Sequence, residues 1–559
     1  MNLNRYCGGT VGILALAALA CGCSSKSNDC KANLSCTPFD GSSAGNGANT
    51  SAGTSGLGGQ SGTSGEGNAS GRPGSSGDGG TSSGDAGAGG GPAKCNGTLS
   101  PDADSCVISD DFGVFVSPDG DDTTGDGSEA TPFATLTMAL ANLGSSKRVY
   151  VCDGDYSEPG TLEIPSGASI FGGFGCDSGH WIYDSANNHA RFTPNSPIGA
   201  DVKNATGVVL QDLSITAQDA TSPGASSFGL MVVNGGAVLT RVEVKAGKGA
   251  AGTAGVDGTK GADGAVTGTD QQGQTAVCGG AGGMSKGGAW ATVSDCGVLG
   301  GHGGAGYVSS AETGGVGTPS INVSPSDVQN GGAGESATDS AKSGGDGSKG
   351  NYGETGMLAA PTGTFSESGY ANASGGDGTS GYPGQGGGGG GASKGNGTTC
   401  SGASGGAGGM GGCGGTLGSG GKGGGASVAL LSWNSTVKLM KSSLVANSGG
   451  AGGNGGKGGA GGLGRQGAAG GDADALHAIS GGKNGGQGGL GGNGGNGAGG
   501  SGGPSIGIVY STTAPVVDDM STVTPGTGGA LGVGGDYGTP ATKAPDGTAG
   551  LALAKYLIP

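Results

Sequence analysis

The sequence predicts an all-β protein: a parallel β-helix with an N-terminal capping helix, long glycine-rich insertions and a disordered N-terminal tether. Short runs rich in Leu and Val recur with the same internal spacing, which is typical of stacked coils. Glycine supplies 145 of the 559 residues and is concentrated between those runs. Residues 23–94 contain almost no large apolar side chain, so they cannot form a core.

Composition excludes several other classes of protein. Aromatic residues make up 4% and charged residues 12% of the chain, which is too few for a globular enzyme of this length. The 21 Pro residues are too sparse for collagen. The formal charge of −17 argues against nucleic acid as a partner, because nucleic acids attract clustered Lys and Arg.

Residues 1–22 have the features of a secretory signal peptide, with one basic residue followed by the short apolar run Val11–Ala20. The run leads into Leu-Ala-Cys-Gly-Cys-Ser-Ser, which resembles the lipobox of bacterial lipoproteins. That resemblance implies cleavage before Cys21 or Cys23, a lipid anchor on the new N-terminus, and a location on the bacterial outer membrane or cell surface. An ordinary signal peptide with incidental cysteines is the alternative.

Residues 23–94 are rich in Ser, Gly, Thr, Ala and Asn, and we expect them to form a flexible linker. The random-coil relation for about 70 residues gives a mean span of roughly 45 Å between the anchor and the next domain.

Ten cysteines follow Cys23, an even number, and they fall in sequential pairs. Because exported proteins meet an oxidising compartment, we expect five local disulfides, although the sequence does not fix their connectivity. No CxxC spacing occurs among them, which argues against a zinc site. The ten are Cys30, Cys36, Cys95, Cys106, Cys152, Cys176, Cys278, Cys296, Cys400 and Cys413.

Residues 95–246 are predicted to form the N-terminal cap and the first coils. Thr131 is a candidate helix N-cap, Pro132 suits the first helical position, and Gly144 is a candidate stop. Strand-like runs follow at Arg148–Cys152, Thr161–Ile164 and Ala168–Phe171.

The motifs of this region resemble the domain-of-unknown-function family numbered 1565. In order along residues 113–176, they read FVSPDGDD, GDG, TPFATLxxAL, VYVxxGxY and SIFGGF. The family caps and begins right-handed, pectin-lyase-like parallel β-helices. The resemblance therefore implies that fold and no single activity.

An internal repeat predicts the coils independently of that resemblance. Residues 207–217 align without a gap with 236–246, and Ser227–Leu230 aligns with Ser427–Leu430 and with Ser505–Ile508. Further rungs are therefore expected at 426–448 and 504–559. One unit cannot bury its inner face alone, whereas stacked units form a continuous core. A β-sandwich with chance similarity is the alternative.

The insertions at 247–425 and 449–503 are dominated by glycine, and residues 449–463 and 485–496 repeat with a period of three and glycine at two of every three positions. That period suits polyproline-II-type helices, which have three residues per turn and can pack closely where two edges lack side chains. Disorder is the alternative, because glycine loses the most conformational freedom on ordering. The composition also resembles the glycine-rich repeats of mycobacterial PE_PGRS proteins, without their N-terminal domain.

One acidic loop is a candidate calcium site, and calcium is the only cofactor that the sequence indicates. Asp119, Asp121, Asp122 and Asp126 offer hard oxygen ligands. They lack the EF-hand spacing, and a solvated turn that caps the helix is the alternative.

We expect a lipid-anchored cell-surface protein of structural or adhesive type, with the membrane and with extracellular glycans or neighbouring cells as partners. The first alternative is a polysaccharide-active, lyase-like enzyme. Such an enzyme needs a base beside an acidic cluster, and we expect Arg241, Glu243 and Lys245 to form only a charged solvent face. The second alternative is a passive surface spacer. No P-loop and no HExxH motif occurs.

Overall fold

A computed structural model describes residues 95–559 except 146, 177–178, 266–267, 280–282, 291–295, 319–330 and 538–542. The predicted signal peptide, the candidate lipidation residues Cys21 and Cys23, the linker, and Cys30 and Cys36 lie outside the described residues.

Three parallel sheets dominate the described chain, which confirms the all-β, parallel fold class. Strands are numbered in chain order. Sheet A contains β1 (Val114–Val116), β2 (Arg148–Cys152), β5 (Ser169–Gly175), β9 (Val208–Gln211), β12 (Gly236–Thr240), β17 (Thr436–Met440) and β20 (Val516–Val517), with β6 (Ile182–Tyr183) antiparallel to β5. Sheet B contains β3 (Gly154–Glu158), β7 (Ala190–Pro194), β10 (Leu213–Thr216), β13 (Glu243–Lys245), β18 (Ser443–Val445) and β21 (Thr522–Thr524). Sheet C contains β4 (Leu162–Glu163), β8 (Ile198–Lys203), β11 (Ser227–Val233), β16 (Ser427–Trp433), β19 (Ser505–Tyr510) and β22 (Ala552–Leu557).

From β9 onward the chain passes through sheets A, B and C in turn, four times over. One such passage is called a circuit here. The register is the one that the internal repeat predicts: Leu210 pairs with Leu239, and Ser227 pairs with Ser427, which pairs with Ser505. Side chains alternate along each strand, so that in β10 Leu213 and Ile215 are buried between half-buried polar residues. The buried set from all three sheets forms one continuous core.

Stacked asparagines in the left-handed conformation turn the chain from sheet C to sheet A. Asn204, Asn234 and Asn434 have φ angles of 52°, 51° and 46°, a region in which Asn is tolerated because its short polar side chain can bond locally. The Asn434 Nδ2 group donates to Asn234 Oδ1 at 3.0 Å. The corner at Asn434 therefore supports the corner at Asn234.

The capping helix α1 (Leu136–Ala141) begins later than predicted. Its N-cap is Thr135, whose Oγ1 accepts the Met138 N–H at 3.1 Å, and not Thr131. The Phe133 N–H donates instead to the Phe115 carbonyl at 3.0 Å. That pairing with β1 holds the preceding residues in an extended conformation. Short 3₁₀ turns lie at Ser105–Val107, Thr269–Gln271 and Ala475–His477, and β14 (Thr364–Ser366) forms a hairpin with β15 (Gly369–Ala371).

All the glycine-rich insertions leave the sheets at the same corner, between a sheet B strand and the next sheet C strand. Eight of the extended segments among the described residues are named here in chain order. The segments are I (248–265), II (341–357), III (372–395), IV (401–425), V (449–471), VI (482–503), VII (527–535) and VIII (544–550).

Buried serines fix the point of departure. Ser427, with no exposed surface, donates from Oγ to the Gly247 carbonyl at 2.7 Å and accepts the Asn447 N–H at 2.8 Å. Ser227 and Ser505 make the equivalent bonds one circuit before and after. Because these serines join consecutive circuits where the insertions begin, they align the first residues of neighbouring segments.

The hydrogen-bond ladder of sheet B continues into the glycine segments without a change of register. The Ala246 N–H donates to the Val445 carbonyl at 3.0 Å, and the Gly249 N–H donates to the Ser448 carbonyl at 3.0 Å. The same pairing of segments I and V then recurs at every third residue as far as Gly264, which donates to Leu463 at 2.8 Å. Three residues is the period of a polyproline-II-type helix.

Segment VI is the centre of the bundle, since its backbone hydrogen-bonds to six other segments. Its partners are segments II, III, IV, V, VII and VIII, at N···O distances of 2.7–2.9 Å in the bonds Gly356–Asn496, Gly495–Thr379, Gly424–Ser501, Gly503–Gly450, Gly529–Gly503 and Gly502–Thr548. Such close packing leaves no room for a side chain at the glycine positions of segment VI. A Cβ atom on Gly500 would lie 2.2 Å from the Lys422 carbonyl oxygen.

Candidate functional site

The bundle presents its side chains in regular rows. In segment V, Asn454, Lys457, Ala460 and Leu463 follow one another at every third residue, and all four are exposed. At about 3.1 Å of rise per residue, neighbours in such a row stand roughly 9 Å apart. Since the backbone beneath them is hydrogen-bonded on several sides, these rows form a firm surface that can contact a ligand repeatedly.

Many polar side chains in these rows are structural. The Asp257 and Asp263 carboxylates of segment I accept the N–H groups of Lys457 and Leu463 at 2.7 and 2.8 Å. The Leu463 N–H, helped by Lys260, holds the pKa of Asp263 below its ordinary value. A Gly-Gly-X triplet has three backbone N–H groups. The Asp257 and Asp263 carboxylates accept the N–H group of the X residue. Sequence reasoning missed this role, for which the Asp spacing of two triplets is the only signal.

Two disulfides cross-link the bundle, one at the end farthest from the sheets and one about halfway along segment IV. They join Cys278 to Cys400 and Cys296 to Cys413. The prediction of local pairing is wrong for these four cysteines, because the chain travels out along one segment and back along another before the partners meet. It is confirmed for Cys95–Cys106 and Cys152–Cys176.

One group of potential metal ligands lies at this distal end. Within the described ranges, Cys278, Cys400 and His477 form the group whose ligand atoms approach within 4.8 Å of one another. Asp474 adds a carboxylate, whose Oδ2 lies 2.8 Å from His477 Nδ1. This hydrogen bond with His477 lowers the pKa of Asp474. Both sulfur atoms are joined in a disulfide, so neither is available as a thiolate.

The predicted calcium ligands do not converge in the structure. Asp121 accepts the Thr123 and Thr124 N–H groups, Asp126 accepts the Ser128 N–H at 3.0 Å, and Asp122 accepts the Ala134 N–H at 2.8 Å. Asp119 turns its N–H toward the Ser117 hydroxyl at 3.3 Å. The carboxylates of Asp121, Asp122 and Asp126 therefore each accept backbone N–H groups, and a calcium ion in this loop stays a prediction.

A cavity of about 810 Å³ beside α1 is lined by two carboxylates, Asp122 and Glu158. Glu158 is 1% exposed and accepts the Leu136 and Thr137 N–H groups at 2.8 and 3.1 Å. Asp122 accepts the N–H and hydroxyl of Thr135 at 3.0 and 2.7 Å. All four carboxylate oxygens thus satisfy groups at the start of the helix, where negative charge is favourable.

A second polar cavity, of about 450 Å³, lies against sheet B beside Arg241 and Lys441. Asp212 accepts both the Nε and an Nη group of Arg241, at 2.5 and 2.9 Å, which raises the pKa of Arg241. The expectation of a plain solvent face is therefore wrong at Arg241, because Asp212 occupies the equivalent corner one circuit earlier. The expectation holds for Lys245, which pairs with Glu243 at 2.7 Å.

Comparison of the chain with protein-family models, with curated proteins and with solved structures finds no match. In the part of the chain that the structure describes, no helix has the length and apolar character needed to cross a membrane.

Proposed function

We propose that this chain is a lipid-anchored, cell-surface protein of structural or adhesive type, in which a parallel β-helix carries a rigid glycine-rich bundle. The repeated passage through sheets A, B and C in constant register supports the β-helix. The resemblance of residues 113–176 to β-helix caps supports its right-handed winding.

One observation carries the proposal: the ladder that pairs consecutive circuits runs on unbroken into segments I and V. The bundle is therefore an extension of the sheets. At about 3.1 Å per residue, the 21 residues between Gly406 and Ser427 reach roughly 65 Å from the scaffold. A projection of that length places its rows of side chains well away from the β-helix, as display to a second surface requires.

The anchor follows from the N-terminal sequence. Acylation of Cys21 or Cys23 would hold the chain at the membrane, with residues 23–94 as a spacer of roughly 45 Å. Labelling cells with an alkynyl fatty acid tests this step. Cys21→Ser and Cys23→Ser identify the acylated residue, and a chain that labels equally in the double variant refutes the anchor.

Adhesion is tested by removing the bundle and keeping the sheets. The Gly425 N–H donates to the Ala250 carbonyl at 2.9 Å, so the two ends of the first insertion lie side by side. Residues 252–423, 452–501 and 531–547 can therefore be replaced by short turns like the natural 217–226 connection. We expect cells displaying this variant to lose attachment to glycan-coated surfaces and to each other.

The control is a variant in which two exposed row residues are changed and the glycines are kept: Lys457→Ala and Leu463→Ala. A passive spacer predicts that this variant adheres like the parent, whereas an adhesive surface predicts a loss. Circular dichroism and protease resistance of the purified chains establish that the sheets remain folded. Unchanged adhesion in the bundle-deletion variant would overturn the proposal.

A further inference from the structure

A small cavity in the bundle has the composition of a sugar-binding site. Its volume is about 300 Å³, and it lies between segments II and VI. It is lined by Tyr352 and Glu354 of segment II, by Asn493–Asn496 of segment VI and by Tyr537. We propose that this cavity binds one neutral pyranose residue of a glycan. The inference rests on the adhesive function proposed above.

Both aromatic rings are held by bonds to their hydroxyl groups. The Tyr352 hydroxyl accepts a hydrogen bond from Lys349 Nζ at 2.6 Å, and the same Nζ lies 4.3 Å from the ring centroid. The Tyr537 hydroxyl donates to the Gly458 carbonyl. Tyr352 is nevertheless 53% exposed, so a ring face is open to a ligand. Fixed tyrosines offer large amphipathic contact area at low entropic cost, which suits the alternating C–H and O–H faces of a pyranose.

The polar groups of the cavity are oriented by the bundle. Asn493 Oδ1 accepts the Gly461 N–H at 3.0 Å, which leaves both hydrogens of its Nδ2 group to donate to a ligand. The Glu354 N–H is bound to Thr379 Oγ1 at 2.7 Å, while the Glu354 carboxylate has no partner among the described residues and can accept from sugar hydroxyls. One fixed donor and one free acceptor face a polyhydroxylated ligand.

Size and charge select the ligand class. A volume of about 300 Å³ stands at the lower end of the range for small-molecule sites, which fits a single ring and not an oligomer. Glu354 repels carboxylated or sulfated sugars, and the chain as a whole carries a formal charge of −17. A neutral sugar meets neither penalty.

The test uses the full-length purified protein and saturation-transfer NMR with the methyl glycosides of glucose, galactose, mannose and N-acetylglucosamine, and with methyl glucuronide. We expect at least one neutral glycoside to bind, and the glucuronide to bind about tenfold more weakly. Tyr352→Ala should weaken the neutral ligand about five- to tenfold, as expected for loss of one aromatic contact. Glu354→Gln should narrow the gap between neutral and acidic sugars.

Tyr382→Ala is the matched control, because Tyr382 is also a bundle tyrosine, 47% exposed, but lies outside the cavity. Absence of binding by all four neutral glycosides, or equal losses in Tyr352→Ala and Tyr382→Ala, would overturn the site. The proposed function can fail separately. If the protein binds the glycoside as described but the bundle-deletion variant still adheres, the sugar site stands and the adhesive function is refuted.

Discussion

Replacing Gly415 by Ala tests whether the bundle requires glycine for packing. A Cβ atom built on Gly415 lies 2.0 Å from the Gly459 carbonyl oxygen, whereas ordinary contacts begin near 3.4 Å. Segments IV and V would have to separate by the difference. The bond from the Gly459 N–H to the Thr416 carbonyl is 2.7 Å long and cannot survive such a shift.

The expected loss follows from three contributions. Two backbone hydrogen bonds near Gly415, at about 1 kcal/mol net each, are weakened or broken. Overpacking adds about 1–3 kcal/mol of destabilisation. Because Ala restricts the unfolded chain more than Gly does, the substitution also stabilises the folded state by about 0.4–1 kcal/mol. The free energy of unfolding should therefore fall by about 2–4 kcal/mol.

Urea denaturation followed by circular dichroism measures this loss, and hydrogen exchange at the Gly459 amide localises it. The control is Gly268→Ala in the same insertion, because Gly268 has no atom within 4 Å of the new Cβ and a φ of −87° that Ala adopts freely. The control should change stability by less than about 0.5 kcal/mol. Equal stability of the two variants would refute the argument that packing selects glycine.

Three further outcomes are expected. Asn493→Ala leaves the Gly461 N–H without its acceptor, so that amide should exchange faster and the unfolding free energy should fall by about 1 kcal/mol; unchanged exchange would contradict the capping role. Arg241→Met removes the cation from the Asp212 carboxylate, whose side chain is 2% exposed and keeps the Tyr183 hydroxyl as a donor, and should destabilise the sheets by about 3–5 kcal/mol in thermal unfolding, whereas Lys441→Met, at the next corner, should not. Hydroxyl and amide donors from Thr131 and Ser128 lower the pKa of Asp126 to about 2 from 3.8. Its stabilising effect is therefore complete above pH 4 and lost as the pH falls to 2, so Asp126→Asn should flatten the acid side of a stability–pH curve.

The sheets could be predicted from the sequence because their information is local and repeated. Aligning Ser227–Leu230 with Ser427–Leu430 compares segments two hundred residues apart, yet each carries its own alternation of buried and exposed positions. Parallel stacking preserves that alternation from one circuit to the next, so residues that align in the sequence are paired in adjacent strands. The start of α1 was misplaced for the opposite reason. Thr131 and Pro132 satisfy local capping rules, and a non-local bond from Phe133 to β1 overrides them.

The distal part of the bundle could not be predicted in the same way. A period of three indicates which N–H groups can face a neighbour, but it does not say which segment that neighbour is. Cys278 pairs with Cys400 and not with Cys296. Segments II and III separate Cys278 from Cys400 along the chain, but the two cysteines are adjacent in the folded bundle. The capping acids were missed likewise, since Asp257 meets Lys457 only through the stacking of circuits.

The sheets and the disulfides explain how a chain with so much glycine can fold despite the large loss of backbone entropy. Each ordered residue loses about 1–2 kcal/mol of backbone freedom, and glycine loses more than any other. The buried serines and the sheet B ladder set the register of the first triplet in each segment, so every later triplet adds hydrogen bonds without a new nucleation step. That support weakens with distance from the sheets. The Cys278–Cys400 disulfide stands at the far end and the Cys296–Cys413 disulfide about halfway along segment IV, and the loops they close, of 122 and 117 residues, are the longest among the four described disulfides. Cross-links restrict the unfolded chain most when they close long loops, so they hold the bundle where the sheets no longer can.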